Sequence, residues 1–307
     1  MGKPIAIVAL GGNALTPKEG KGTYKELKRN IAQACRNLFP LFKTHGVVVV
    51  SGSGPQIGSL LLQNELAKKT VPPMPLDVLD AELEGWLGYM MQQELMKVVP
   101  RQLVVTVITQ VLVDKRDPLL KHPTKPIGRF YTRSEASVLE RRGLKVVYQR
   151  GKGYRRVVPS PKPVKVMETE AIKQLLKKKM VVIAAVGGGV PIVKTKSGVK
   201  GVNGVVDKDR ASACLAKALH ADMLLILTDV KKVSVNYNIK NQRALSRLHI
   251  EEIKEYMRDG QFPPGSMGPK MESAMEFVRG GGKKVIITCP SCVAQALKGK
   301  EGTVITR

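Results

Sequence analysis

Three lysines stand at positions stiffened by acidic, glycine or proline neighbours. Lys208 lies in the run VDKD, Lys270 ends the run GSMGPK, and Lys125 lies between prolines in PTKP. Lysines are usually exposed and mobile, so such settings are unusual. Phosphoryl transfer asks of a protein mainly positioning and positive charge around the transferred group. We therefore predict that these lysines act on a phosphate, with the flanking acids Asp207 and Asp209 orienting Lys208 and holding it charged.

Glycine-rich loops are the second candidate chemistry. Three of them each follow a short apolar run: Gly11-Gly12-Asn13, Ser51-Gly52-Ser53-Gly54 and Gly187-Gly188-Gly189. Glycine lacks a Cβ, so backbone N–H groups can approach an anion closely. One such loop is as often a plain tight turn, but three of them favour anion binding. The sequence has no P-loop motif, and Pro55 interrupts the only spacing that resembles a dinucleotide fingerprint.

Short apolar strands alternate with helical patterns and must position these loops. The predicted strands are 4–10, 47–50, 103–108, 181–186, 223–227 and 284–288. The predicted helices are 25–42, 56–67, 211–219 and 271–278. Continuous apolar strands are buried on both faces, which is typical of a parallel sheet covered by helices. We predict an α/β fold, a three-layer sandwich around an open, mainly parallel, doubly wound sheet, with ligands beyond the carboxyl ends of the strands.

One stretch, 117–163, interrupts this alternation. It is rich in proline, arginine and lysine and contains strand-like runs at 145–149 and 155–158. We interpret it as a small protruding subdomain, or lid, inserted into an otherwise single domain that spans 1–307.

Composition narrows the function classes. The chain has 307 residues, is 43% apolar and carries a net charge of +26, yet only 4% of it is aromatic. Because aromatic stacking platforms are scarce, nucleic-acid binding is not favoured as the main role, although the charge predicts weak, non-specific binding of polyanions. No apolar run is long enough for a membrane helix or a secretion signal. We expect a cytoplasmic protein without a membrane partner.

The four cysteines include a C-x-x-C motif at Cys289 and Cys292. A zinc site would need two further ligands at similar spacing, and the histidines are scattered. We interpret these residues as ordinary reduced cysteines at the end of a strand.

Several strings together resemble the carbamate kinases of the amino acid kinase superfamily. They are ALGGNAL at 9–15, SGSGPQ at 51–56, PTKP at 123–126, RRVVPSP at 155–161, GGGVP at 187–191, DKD at 207–209, LTDV at 227–230 and GSMGPK at 265–270. The resemblance runs in order from residue 4 to about residue 305.

The resemblance implies an amino-acid-kinase-like fold and a reaction of arginine metabolism. ATP and carbamate would interconvert with ADP and carbamoyl phosphate, with Mg²⁺ held by the nucleotide phosphates and without a covalent enzyme intermediate. A homodimer is implied as well. The N-terminal half would form the acceptor side, and about 180–307 the nucleotide side.

The resemblance also assigns roles to individual residues. Lys208 and Lys270 would neutralise the developing charge, Asp209 would position them, and Lys125 would close over carbamoyl phosphate. The phosphate and substrate would lie against Gly11, Gly12, Asn13, Ser51, Gly52, Ser53 and Gly54. The nucleotide would lie against Gly187, Gly188, Thr228, Asp229, Met267 and Gly268.

Some residues depart from the family pattern. Ser53 stands where the family has asparagine, Leu83-Glu84 replaces a Ser-Gln pair, and Gln149 replaces an acid. These changes leave two alternatives open: a kinase for another small acid, and a nucleotide-binding regulatory homologue without turnover. The physiological direction of the reaction stays open as well.

Overall fold

A computed structural model describes residues 2–16, 20, 22–149, 151–263 and 265–307, without the side chains of residues 13 and 14. Strands and helices alternate along most of the chain. In chain order, the strands are β1 (Ile5–Leu10), β2 (Gly46–Ser51), β3 (Val104–Thr106), β4 (Gln110–Val113), β5 (Lys125–Tyr131), β6 (Val146–Gln149), β7 (Gly153–Val158), β8 (Pro163–Val166), β9 (Val181–Ile183), β10 (Val190–Thr195), β11 (Gly198–Gly201), β12 (Met223–Leu227), β13 (Val233–Val235), β14 (Arg243–Leu245), β15 (Arg247–His249), β16 (Lys284–Thr288) and β17 (Thr303–Thr306). The α-helices are α1 (Gly12–Leu15), α2 (Tyr24–Asn37), α3 (Phe39–Thr44), α4 (Gly54–Ala67), α5 (Leu76–Val98), α6 (Arg133–Arg141), α7 (Thr169–Lys177), α8 (Lys208–Ala218), α9 (Ile250–Arg258), α10 (Met267–Arg279) and α11 (Val293–Leu297).

The main sheet has eight strands in the order β15-β17-β16-β12-β1-β2-β9-β3. Neighbouring strands run parallel except for β16 and β17. The prediction of an open, mainly parallel sheet is confirmed. Because β12, β1 and β2 are adjacent and parallel, the loops after them emerge side by side at one edge.

Helices cover both faces of this sheet. Along β1, Ala6, Val8 and Leu10 belong to one apolar core, whereas Ile7 and Ala9 belong to the other. Successive side chains of a strand point to opposite faces, so a strand covered on both sides must be apolar throughout. Helices α2, α4 and α5 pack on the first face, and α8, α9 and α10 on the second. None of the helices in the described part combines the length and apolarity needed to cross a membrane.

Two predicted elements need correction. The helix predicted over 25–42 is divided at Leu38, because Pro40 in the first turn of α3 cannot continue the hydrogen bonding of α2. The strand predicted over 181–186 ends at Ile183, because the backbone at Ala185 turns to φ 48°.

The stretch predicted as an insertion contains a separate antiparallel sheet, β5-β7-β6, together with α6. Strand β5 packs on α4 without intervening side chains. A Cβ built on Gly58 would lie 2.1 Å from the Cα of Gly128. A cavity of about 620 Å³ lies within this sheet-and-helix unit, lined in part by Thr124, Leu144 and Val147.

Candidate active site

Glycines after β1 and β2 meet the end of β12. The Gly11 N–H donates to the carbonyl oxygen of Leu227 at 3.1 Å, and a Cβ on Gly11 would lie 2.9 Å from that oxygen. A Cβ on Gly12 would lie 3.3 Å from the carbonyl oxygen of Gly52. The Gly52 N–H in turn donates to Leu10 at 2.9 Å. Side chains at these glycines would push the two predicted phosphate loops apart.

Helix α4 begins at the second loop and directs its N-terminus into the same region. Ser53 is its N-cap but makes no side-chain capping bond, and Gly54 is its first residue. The hydroxyls of Ser51 and Ser53 are buried, and neither has a hydrogen-bond partner among the described residues. Free backbone N–H groups and buried hydroxyls suit an anion. Asn13 lies in α1, but its side chain is outside the described part.

The three predicted lysines come together on two carboxylates. Lys208 and Asp209 open α8, and their side chains are 2.5 Å apart, Nζ to Oδ1. The second oxygen of Asp209 is 3.1 Å from Nζ of Lys270. Asp207, the N-cap, accepts the Asp209 N–H at 2.9 Å and also pairs with Lys125 of the inserted sheet.

Burial decides how strongly these charges interact. Lys208 is 7% exposed and Asp209 is 2% exposed. Burial raises the pKa of the Asp209 carboxyl, but Lys208 and Lys270 outweigh it and hold this pKa below its usual value. For Asp207, burial is likewise outweighed, mainly by Lys125, and the pKa is lowered. Both carboxylates are therefore anionic at neutral pH.

The pKa values of Lys208 and Lys270 shift in opposite directions. Burial lowers the pKa of Lys208, although Asp209 partly opposes this shift. Burial also lowers the pKa of Lys270, but Asp209 and Asp207 outweigh it, and the net shift is upward. Lys270 is therefore the more firmly charged of the two, and Asp209 is the main group that keeps the pKa of Lys208 from falling further.

Lys208 reaches the phosphate loops because position 52 is glycine. A Cβ on Gly52 would lie 2.9 Å from Cδ and 3.4 Å from Cε of Lys208. The lysine stem therefore lies directly against the second loop, and the same Cβ would lie 3.3 Å from the backbone nitrogen of Gly12. Sequence motifs that are about 150 to 200 residues apart thus form one site.

Two of the residues predicted to contact the nucleotide are on the helix that carries Lys270, and two others are neighbours in the loop after β12. Met267 and Gly268 are the first residues of α10, the helix that carries Lys270. The Thr228 hydroxyl donates to Asp229 at 3.0 Å. Asp229 also contributes to raising the pKa of Lys270, which places its carboxylate within electrostatic reach of the cluster.

Gly187 and Gly188 have other neighbours. Both have positive φ, 79° and 106°. A Cβ on Gly187 would lie 2.8 Å from Oγ of Ser53 and 3.0 Å from Cδ2 of Leu83, and a Cβ on Gly188 would lie 2.2 Å from the carbonyl oxygen of Val206. Their nearest atoms thus belong to Ser53, Leu83 and the segment before Lys208, rather than to the group around Thr228.

Comparison with known proteins decides the family. The sequence model of the amino acid kinase family matches residues 4–289. Carbamate kinases of Pyrococcus furiosus and Clostridium perfringens are 42% and 44% identical to this chain, over 99% and 98% of it and 99% of each relative. A structure of carbamate kinase from Giardia lamblia bound to AMP-PNP is 41% identical, has a TM-score of 0.89, and is matched over 99% of this chain and 98% of that one. The chain belongs to the carbamate kinases. It is an enzyme, an ATP-dependent kinase of the amino acid kinase family.

One candidate site residue, Arg155 of β7, was not predicted from the sequence. Its Nε and Nη2 atoms are buried without a hydrogen-bond partner in the described ranges. The guanidinium lies 5.2 Å from the centre of the Phe130 ring, and Nη2 lies 3.6 Å from a Cβ built on Gly54. Burial lowers the pKa of Arg155. The only signal in the sequence was the string RRVVPSP, which does not show which arginine faces the site.

The carboxylates of this carbamate kinase site are engaged by lysines. Asp207 and Asp209 each use both oxygens in the contacts described above. Across the described ranges, no group of three or more His, Cys, Asp or Glu side chains could hold a metal ion.

Proposed function

We propose that this kinase interconverts ATP and carbamate with ADP and carbamoyl phosphate. The observation that carries the proposal is the position of Lys208, which lies against Gly52 while Asp209 joins it to Lys270. The Lys208 stem also lies near the backbone of Gly12, since a Cβ on Gly52 would lie 3.3 Å from the Gly12 nitrogen. Such an arrangement suits a phosphoryl group passing between two acceptors.

The charge cluster supports transfer without a covalent enzyme intermediate. As the phosphoryl group moves, negative charge spreads over its oxygens, and Lys208 and Lys270 would stabilise that charge. Asp209 remains ionised because its pKa is lowered, so it holds both ammonium groups at fixed positions. Asp207 and Asp209 are paired with lysines, which makes them poor nucleophiles.

Lys125 supports a closing role for the inserted sheet. Its ammonium pairs with Asp207 across 82 residues of sequence, and strand β5 begins at this lysine. We propose that an incoming anion displaces the Asp207 carboxylate from its ion pair with Lys125 and binds the Lys125 ammonium in its place. The lid would then complete the positive site and exclude water from the reacting group.

Arg155 is our proposed acceptor-side residue. Its Nε and Nη2 have no hydrogen-bond partner in the described part of the chain, and Nη2 lies beside Gly54 at the start of α4, so Arg155 can bind the carboxylate of carbamate or an oxygen of carbamoyl phosphate. Arg156, the next residue, provides a matched control because its Nη1 is already 2.6 Å from Glu65. Replacing Arg155 by alanine should raise KM for carbamoyl phosphate more than KM for ADP, whereas replacing Arg156 should not show this selectivity.

We propose that the nucleotide lies at Thr228, Asp229, Met267 and Gly268, next to Lys270. Mg²⁺ would enter with the nucleotide and be held by its phosphate oxygens, where it would neutralise part of their charge. The family resemblance further supports a homodimer and a cytoplasmic location, and light scattering of the purified protein tests the former.

Two departures from the family pattern favour a second candidate, a kinase for another small acid. Ser53 and Leu83 both lie against Gly187 on the acceptor side. Glu84 has a different role, because it accepts the Thr109 N–H at 2.9 Å and is fully buried. Of these three residues, Ser53 and Leu83 are therefore the ones placed to alter the choice of acceptor.

The test is to mix the protein with ADP, Mg²⁺ and carbamoyl phosphate and to measure ATP formation. The Lys208→Ala variant should lose activity by about 10²- to 10³-fold, as removal of one charge-stabilising group typically does. Lys254→Ala is the matched control, because Lys254 pairs with exposed Glu251 on α9. ADP binding without ATP formation would contradict the proposal, and acetate, propionate and other small acids would then be tried with ATP. Failure of all acids would favour a regulatory nucleotide-binding role.

A further inference from the structure

The C-x-x-C motif forms a sulfur pair outside the kinase site. Cys289 directly follows β16, and residues Pro290–Cys292 form a 3₁₀ turn in which the Cys292 N–H donates to the carbonyl oxygen of Cys289 at 3.0 Å. This turn brings the two Sγ atoms to 2.7 Å. The sulfurs are thus in contact without any movement of the backbone.

The two remaining cysteines differ from this pair. Cys35 is buried, and burial raises the pKa of its thiol to about 12. Cys214 is half-buried, and burial raises the pKa of its thiol to about 11. Thiols with such values carry almost no thiolate at neutral pH and react slowly. A zinc site at the pair is not supported, because the described residues supply no third ligand.

We propose that Cys289 and Cys292 form a redox-active dithiol, a site of reversible intramolecular disulfide formation by exchange with a small-molecule disulfide such as oxidised glutathione. In proteins that do not rely on structural disulfides, a disulfide that does form is usually one that is made and reduced reversibly. The proposal is independent of the acceptor that the kinase uses.

The exchange proceeds in two balanced steps. The Cys289 thiolate attacks one sulfur of the small disulfide, breaks its S–S bond and releases one small thiolate. The Cys292 thiol then gives up its proton to the solvent and attacks Sγ of Cys289, which breaks the mixed disulfide and releases the second thiolate. The protein loses two electrons and two protons, and the small disulfide gains them as two thiols.

Exposure assigns the order of the two cysteines. Cys289 is half-buried, whereas Cys292 is 8% exposed. Burial and the neighbouring Cys289 raise the pKa of the Cys292 thiol. Cys289 is therefore the thiol that an outside disulfide can reach, and Cys292 is the thiol that resolves the adduct.

The pair is close to the kinase site but is not part of it. Thr288, the residue before Cys289, accepts the Thr228 N–H at 2.9 Å through its carbonyl oxygen. The disulfide would thus form at the end of a strand that neighbours the one leading to the proposed nucleotide residues. Because neither cysteine belongs to the site described above, serine variants can be checked for folding by their kinase activity.

The test treats the reduced, full-length protein with excess oxidised glutathione, then unfolds it in denaturant, blocks free thiols by alkylation and measures mass. We expect the wild-type protein to lose two hydrogen atoms, to keep two alkylatable thiols, and to yield one cross-linked peptide that contains both Cys289 and Cys292. Dithiothreitol should restore four thiols. The Cys292→Ser variant should instead retain a glutathione adduct on Cys289, at least about tenfold more than wild type, because the resolving thiol is gone.

Cys214→Ser serves as the control and should oxidise like the wild-type protein. Two results would overturn the proposal. One is a wild-type protein that still alkylates at all four cysteines after oxidation. The other is a wild-type protein that keeps a stable adduct on Cys289 without closing the ring.

Discussion

Replacing Asp209 by asparagine tests the charge cluster most directly. Asp209 joins Lys208 at 2.5 Å and Lys270 at 3.1 Å, and it is 2% exposed. The substitution keeps the shape of the side chain but leaves two ammonium groups without their shared anion. Removing one partner of a buried ion pair costs about 3–5 kcal/mol, and solvent screening offers little relief at this depth. We expect the free energy of unfolding to fall by about 3 kcal/mol.

The same substitution should change catalysis and its pH dependence. ATP formation should fall by about 10²- to 10³-fold, because the lysines lose both orientation and charge. Burial already lowers the pKa of Lys208, and Asp209 opposes that shift. Without the carboxylate this pKa should fall further. The rate should therefore decline at a lower pH on the alkaline side in the variant than in the wild-type enzyme.

The pH dependence of unfolding in acid provides a second measurement of the same substitution. The pKa of Asp209 is lowered in the folded protein. Its ionisation thus stabilises the fold above the unfolded value of about 3.9, and this contribution disappears as the pH falls through the folded value. The variant should lack this component of acid denaturation. Glu251→Gln, on an exposed pair with Lys254, should leave rate and unfolding unchanged. A variant that keeps its rate within about twofold and shows an unmoved alkaline limb would refute the reasoning.

Three further substitutions test the packing around the site. Gly52→Ala should lower kcat, because its Cβ would lie 2.9 Å from Cδ of Lys208, and steady-state kinetics measures the loss. Gly58→Ala should cost about 1–3 kcal/mol in unfolding free energy and raise KM for the acceptor, because its Cβ would meet the backbone of Gly128. Asp80→Asn should stabilise the protein at neutral pH, since burial raises the pKa of this carboxyl. The wild-type fold loses stability as the pH rises from about 3.9 towards that raised pKa, and thermal unfolding between pH 4 and pH 8 should show the variant's advantage growing with pH.

Matched controls distinguish these effects from general damage. Gly85→Ala places a methyl group on α5 with nothing within 4 Å, so it should leave kcat and KM unchanged. Normal kcat in Gly52→Ala, or normal KM in Gly58→Ala, would contradict the packing argument. For Asp80→Asn, parallel unfolding curves across the pH range would show that the carboxyl is not neutral in the folded protein.

The strands were the most predictable elements, because burial on both faces demands unbroken apolar runs. The predicted strands 223–227 and 284–288 coincide with β12 and β16. Helix α5 was not predicted although it has 23 residues. Acidic residues at its buried positions, including Asp80 and Glu84, remove the apolar period by which a helix is usually detected.

Site residues could be predicted where their neighbours in the sequence distinguish them. They could not be predicted where their role depends on contacts between distant parts of the chain. Glycine, proline and acidic neighbours marked Lys208 and Lys270, and the structure brings these lysines together on Asp209. The contact of Lys125 with Asp207 spans 82 residues, and no spacing in the sequence encodes it. Arg155 was missed for a similar reason, since only its position opposite Gly54 distinguishes it from the arginine that follows.

The resting charge balance explains how so many cations can be buried in one place. Three ammonium groups share two carboxylates, so these five groups carry one net positive charge before Arg155 and Asp229 are counted. An unpaired buried charge is costly, and Asp207 prevents that cost by neutralising Lys125 while no substrate is bound. A bound phosphate would supply the negative charge that Asp207 now provides and would free Lys125 to bind it. A neutral ligand would leave this ion pair in place, so the same arrangement favours anions over uncharged competitors.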